Sequence, residues 1–288
     1  MKVLDQIKLF VSSGKYLSMV ELESKLSELR DNIRNYQASK GQIKYQWSEQ
    51  GVIGIFEKIH IFDTDSTGLK EYLMQLGLLP KVLKIKWSAL SENQKLELGQ
   101  GATNIAATIR FTPNSSCKLN PVILNEYRTN IQKFCIGDRV AEWKRVKTDY
   151  DIRQKEWNSL KYYLLNELQP NSKIKIDQGT LICISANPQI NTLDALNILG
   201  IDAIKEVGDI DNELLMIYRA KGFMDNSEME GYRKLRDIKV RYLLLEIDIY
   251  IRKVNFLQNR LMRLSKESQR SRFDNSDHNT NLFDLPFE

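Results

Sequence analysis

EWNSLKYYLLNELQPNSKIKIDQGTLICIS, residues 156–185, changes its period halfway along. Its first half ends a row of apolar positions, Trp143, Val146, Tyr150, then Trp157, Leu160 and Leu164, at steps of three and four with one polar interruption at Arg153. That spacing draws a continuous stripe along a helix. Past Pro170 and Asn171 the chain alternates instead, with Ile174 and Ile176, then Leu181 and Cys183, flanking Asp177-Gln178-Gly179. Two β runs around a short glycine-containing turn predict a hairpin. A long helix running into a hairpin sets the fold class, mainly α with small β hairpins (α+β).

Two further rows predict long helices of the same kind. One runs Met19, Leu22, Leu26, Leu29, Ile33, Tyr36, Ile43, Trp47, broken at Lys40; the other runs Val240, Leu243, Ile247, Tyr250, Val254, Leu257, Leu261, Leu264 without a break. Seams of this length pair as coiled coils within one chain or between copies, and periodicity leaves both open. GVIGIFEKIHIF at 51–62 reads as strand or hairpin. Each β segment precedes a short helix, STGLKEYLMQLGLLPK at 66–81 and NTLDALNILGIDAIK at 191–205, both carrying LxxLG with the glycine placed as a C-cap. The order long helix, β segment, short helix thus occurs twice and reads as an internal duplication. TPNSSCKLNP at 112–121 is the best internal boundary. The expected organisation is helix-β-helix units at 1–116 and 117–225, a basic coiled-coil helix at 226–272 and a flexible tail with a docking peptide at 273–288.

The 288 residues are 42% hydrophobic, enough for a real core, and the formal charge of +5 is only mildly basic. Any nucleic-acid argument must therefore come from where the charge sits. Cys117, Cys135 and Cys183 are odd in number without CxxC spacing, and His60 and His278 are the only histidines. Neither a disulfide framework nor a metal site is expected, and a reducing cytoplasm is the natural setting. Asp5 and Gln6 interrupt the first apolar stretch, which continues as an amphipathic helix unlike a signal peptide. No apolar run approaches the roughly 18 residues that span a bilayer.

IHIFDTDSTG is the strongest candidate for chemistry, because an apolar strand followed by Asp63-Thr64-Asp65-Ser66-Thr67 resembles the DxDxT opening of haloacid-dehalogenase-type phosphotransferases. That resemblance implies a nucleophilic first carboxylate, an acid/base second and Mg²⁺ held with a later acidic pair, for which Asp209 and Asp211 are the nominees. The parallel βαβ pattern that would unite those segments is missing, and Asp65 or Ser66 serves equally as a helix N-cap. No phosphate-cradling glycine motif is present. Gly99 and Gly101 read as a turn, and Trp87 and Tyr127 as core in preference to base-stacking residues. No catalytic residue and no cofactor is assigned.

The helix-hairpin passage also resembles the replication-module coiled-coil proteins of siphoviruses and, more distantly, Gam-type host-nuclease inhibitors that bind DNA ends. Lys173, Ile174, Asp177, Gly179, Thr180 and Leu181 carry the likeness, which also touches LKEYLMQLGLLPKVLKIKWSAL in the first half. It implies an accessory role in DNA transactions. Charge concentrates between 252 and 272, where Arg252, Lys253, Arg260, Arg263, Lys266, Arg270 and Arg272 face the single acid Glu267. Such a helix end neutralises phosphates, or complements the helix dipole. Beyond it a polar tether ends in Leu282, Phe283, Asp284, Leu285, Pro286 and Phe287. Asp284 to Phe287 resembles the C-terminal tip of bacterial single-stranded-DNA-binding proteins, departing from it in the final Glu288, and approaches the sliding-clamp peptide without its glutamine. The expectation is a non-enzymatic accessory protein that self-associates through its seams, contacts nucleic acid through the basic helix and docks a protein partner through the tail. A coiled-coil adaptor without nucleic-acid binding and a Mg-dependent phosphatase are the alternatives.

Overall fold

The computed structural model of the chain describes residues 2–99, 108–117, 119–169, 171–185, 187–224 and 226–274. The first stretch holds α1 (Val3–Ser12), α2 (Lys15–Ser39), β1 (Lys44–Trp47), β2 (Val52–Thr64), α3 (Ser66–Gln75), α4 (Leu79–Val82), β3 (Leu83–Ile85) and α5 (Glu92–Leu98). Then come β4 (Thr108–Pro113), α6 (Pro121–Gln132), α7 (Ile136–Leu165), β5 (Lys173–Ile176) and β6 (Gly179–Ile184). The chain continues through α8 (Thr192–Leu199), α9 (Ile201–Val207), β7 (Gly208–Ile210), α10 (Asn212–Ala220) and α11 (Asn226–Gly231). It finishes with β8 (Arg233–Glu246) and α12 (Ile247–Asp274). With helices predominating over small antiparallel sheets among the described residues, the chain has the mixed α and β class expected. Among the described residues no helix is long and apolar enough to cross a membrane.

These elements form two compact units that are discontinuous in sequence. Unit 1 joins Met1–Lys58, Asn104–Asn187 and Val240–Tyr250; unit 2 joins Ile59–Thr103, Pro188–Lys239 and Ile251–Glu288. The consecutive blocks 1–116, 117–225 and 226–272 expected from sequence therefore do not coincide with the compact units, each of which draws on both halves of the chain.

In unit 1, α2 packs along α7, and α1 lies against both. Met19, Leu29 and Ile33 of the first apolar row and Trp143, Val146, Trp157 and Leu164 of the second are buried. The two stripes meet each other inside one chain, which removes them from water at roughly 25 cal/mol per Å² of apolar area. Phe10 stacks on Trp157 with ring centroids 5.4 Å apart, and Tyr16 and Phe111 meet that ring edge-on. Beneath lies the sheet β4-β6-β5. Its hairpin is the one read from KIKIDQGTLICIS, with Ile174 opposite Leu181 and Ile176 opposite Gly179.

The second sheet of unit 1 runs β1-β2-β8, and it corrects two of the apolar rows. The first row leaves its helix at Ser39; Ile43 is exposed and Trp47 is buried from strand β1. The third begins in a strand, since Val240 and Leu243 belong to β8 and the helix starts only at Ile247. Val240, Tyr242 and Leu244 also alternate with a period of two, and pairing with the distant β2 decides in favour of that pattern.

Unit 2 gathers short helices around Leu69, Leu73, Leu79, Val82, Leu98, Ala195, Ile204 and Leu215. β3 and β7 pair antiparallel at its centre, Lys84 opposite Asp209. Caps fix the ends of these helices. Asn191 accepts from the backbone of Leu193, Ser91 and Gln94 form a reciprocal capping box, and Gly77 and Gly200 take positive φ at the ends of α3 and α8 as the LxxLG pattern requires.

Candidate nucleic-acid interface

Helix α12 carries a run of positive charge uninterrupted by acid. From Arg252 to Lys266 it carries five cations and no acid, and its first turn holds Asp248, which suits the positive end of the helix dipole. Arg252, Lys253, Arg263 and Lys266 are exposed. Arg260 is half-buried and donates to Glu213 Oε1 of α10 at 2.8 Å, which ties the helix into unit 2. At 100° per residue Arg252, Phe256, Arg260 and Arg263 fall on one face, with Lys253 and Lys266 on its flanks. Phe256, 65% exposed, therefore sits among the cations, while Leu257 and Leu261 form an exposed apolar strip beside them. Such a face can neutralise phosphates and stack an aromatic ring on a base.

Five of the seven cations expected for this role are thus placed on one helix. Arg270 and Arg272 lie on its last turns, where the backbone alone is described, and Leu282, Phe283, Asp284, Leu285, Pro286 and Phe287 lie outside the described residues.

The carboxylates of the DxDxT reading are occupied separately. Asp63 of β2 accepts from Arg236 at 3.2 Å. Asp65 is the N-cap of α3, its Oδ1 accepting from Gly68 N at 3.0 Å. Asp209, on β7, takes Lys86 Nζ at 2.5 Å, and Asp211 caps α10 through Glu213 N and Leu214 N. Asp63 and Asp209 stand in different sheets, and no group of three His, Cys, Asp or Glu among the described residues could hold a metal ion. Trp87 packs on the core of unit 2 and Tyr127 on that of unit 1, as expected for core aromatics. Burial, then the neighbouring Glu142, pushes the Tyr127 phenol above its usual range. Cys135 caps α7, its Sγ accepting from Asp138 N, while Cys117 and Cys183 are buried.

One charged segment escaped the sequence reading. Arg233, Lys234, Arg236 and Lys239 belong to β8, where they were absorbed into the block assigned to a helix. Sequence carried no strand signal here, because the apolar residues of RKLRDIK, Leu235 and Ile238, stand three apart and not two.

Comparison with models of known families, with curated proteins and with solved structures returns no match for this chain.

Proposed function

We propose that this chain is a non-enzymatic nucleic-acid-binding accessory protein of a DNA replication, recombination or mobile-element assembly, cytoplasmic in location. The observation that carries the reading is α12, with five cations, no acid between Arg252 and Lys266, and a mostly exposed cationic face. In this reading the neighbouring strip of Leu257 and Leu261 pairs with a second copy as a coiled coil, and the peptide at 282–287 docks a protein partner. The test is fluorescence anisotropy of labelled DNA with the full chain across a salt series, beside the variant Arg252→Glu/Lys253→Glu/Arg263→Glu/Lys266→Glu. Each lost phosphate contact flattens the slope of log K against log salt by about 0.9 on duplex DNA, so a change of about 3 to 4 is expected. An unchanged slope would leave the adaptor without nucleic-acid binding, whose supporting feature is the same exposed leucine strip.

The reading includes an internal duplication. The order two helices, hairpin, two helices, short strand, helix, strand is traced first by α1 to β4 and again by α6 to β8, the second pass adding α11. The last strand of each pass joins the hairpin of the other, β8 beside β2 and β4 beside β6. β3 and β7, which occupy equivalent places in the two passes, pair with each other. Among the described residues, two repeats that exchange their final strands account for two of the sheets, and the pairing of equivalent strands accounts for the third.

A further inference from the structure

The two passes differ most in their strands. β4 and β6 are six residues each, while β2 and β8 have 13 and 14. β1 pairs with β2 only from Val52 to Ile55. Closing the sheet therefore accounts for the first part of β2, and the remainder is paired with β8 alone.

Within unit 2 this remainder is a two-stranded ribbon, 59–64 against 233–239. Asp63 holds Arg236 at 3.2 Å and Asp65 N donates to Tyr232 O at 2.9 Å, so the strands run in opposite directions. A bare two-stranded ribbon is marginal in water and is normally covered or put to use. Here Ile59, Phe62, Leu235 and Ile238 are all exposed, Leu235 by 52%. Alternation places Arg233, Leu235 and Lys239 on one face and Lys234, Arg236 and Ile238 on the other, so each face mixes cations with apolar groups. Four cations stand against Asp63 and Asp237. Of those acids, Asp63 is engaged by Arg236, and Asp237 accepts from the backbone of Ile238. The Arg233 guanidinium lies over the Phe62 ring at 4.7 Å, which holds its plane in place.

We infer that the ribbon 59–64/233–239 is a second nucleic-acid contact, which enters a groove of duplex DNA with the face of Arg233, Leu235 and Lys239 toward the groove and Lys234, on the opposite face, reaching a flanking phosphate. A two-stranded ribbon has the dimensions of the major groove, and apolar side chains on such elements also wedge into the minor groove. The inference deepens the proposed function and rests on it.

The test uses the full chain and labelled duplex and single-stranded DNA, with three proteins side by side: wild type, Lys234→Glu/Lys239→Glu, and the fourfold α12 variant. Circular dichroism checks each fold, and Lys234→Gln/Lys239→Gln replaces the ribbon variant should charge reversal unfold it. The expected result is a loss of about tenfold or more in duplex affinity for the ribbon variant, and a salt slope flatter by about two, with a smaller loss on single strands. Wild-type duplex affinity in the ribbon variant overturns the inference and leaves the α12 reading standing. Loss in the ribbon variant with none in the α12 variant supports the ribbon and removes α12. Absence of duplex binding by the wild type overturns the ribbon as well as the helix.

Discussion

Gln37 is fully buried where α2 meets β2 and β8, and it is satisfied on all sides. Its Nε2 donates to Gly54 O at 3.1 Å and Gln42 O at 3.0 Å, and its Oε1 accepts from the Tyr242 hydroxyl at 3.0 Å. Gly54 is what lets these groups close, because a Cβ there would stand 2.2 Å from Gln37 Oε1 and 2.4 Å from the Tyr242 hydroxyl. Gly54→Ala is accordingly expected to lower stability by about 2 kcal/mol or more, read as a lower urea midpoint. Tyr242→Phe leaves a buried acceptor without its donor and is expected to cost about 1 to 3 kcal/mol. Burial also pushes the Tyr242 phenol above its usual value of 10.0. The folded state therefore keeps the proton that the unfolded chain releases first. The stability this confers is complete below pH 10 and lost as pH rises beyond it. Urea midpoints followed upward from pH 8 are expected to fall more steeply for wild type than for Tyr242→Phe; equal slopes would show that Tyr242 does not carry this linkage. None of this was legible in sequence, where Gln37 is one polar residue among many on a charged helix and its partners lie on two strands.

Local signals did specify the long helices and one hairpin. The stripes of α2 and α7 and the turn Asp177-Gln178-Gly179 were readable because each depends on neighbours within a few residues. β8 was not readable, since steps of three and four through Val240, Leu243 and Ile247 coexist with a period of two through Val240, Tyr242 and Leu244. The strand is decided by pairing with β2, which is remote in sequence. The same limit applies to the charged site: the cations of α12 were found by counting along a helix, whereas Arg233 to Lys239 become a ribbon only once Ile59 to Thr64 is beside them. DxDxT shows the converse, a catalytic-looking pattern whose second carboxylate serves as the helix cap that Asp65 also offered in sequence. Asp65→Ala is expected to destabilise the chain by about 1 kcal/mol, and Asp65→Asn, which caps as well, to leave stability within a few tenths. A large loss in Asp65→Asn would show that the carboxylate charge itself is needed, and would reopen the acidic reading of this motif.

Exchange of the final strands between the two proposed repeats has a consequence for the whole chain. One core of unit 1 sets Leu29, Ile33 and Val52 against Val140, Trp143 and Leu244, and another sets Phe10 and Ile109 against Trp157 and Leu181. The core of unit 2 likewise joins Leu69, Leu79 and Leu98 to Ala195, Ile204 and Leu215. Each half of the chain thus holds one side of every core, and a half alone would expose those faces to water at a cost it cannot recover from its own contacts. Cutting the gene between Lys118 and Leu119 is expected to give fragments 1–118 and 119–288 that show no cooperative urea transition singly. Co-expressed, they are expected to purify as a one-to-one complex with a single transition. Trp157→Ala, which removes the ring stacked on Phe10 of the other fragment at 5.4 Å, is expected to weaken that complex by about 3 to 5 kcal/mol. A fragment that unfolds cooperatively as a monomer would mean that the repeats are self-sufficient domains, and the exchange of β4 and β8 would then be no condition of folding.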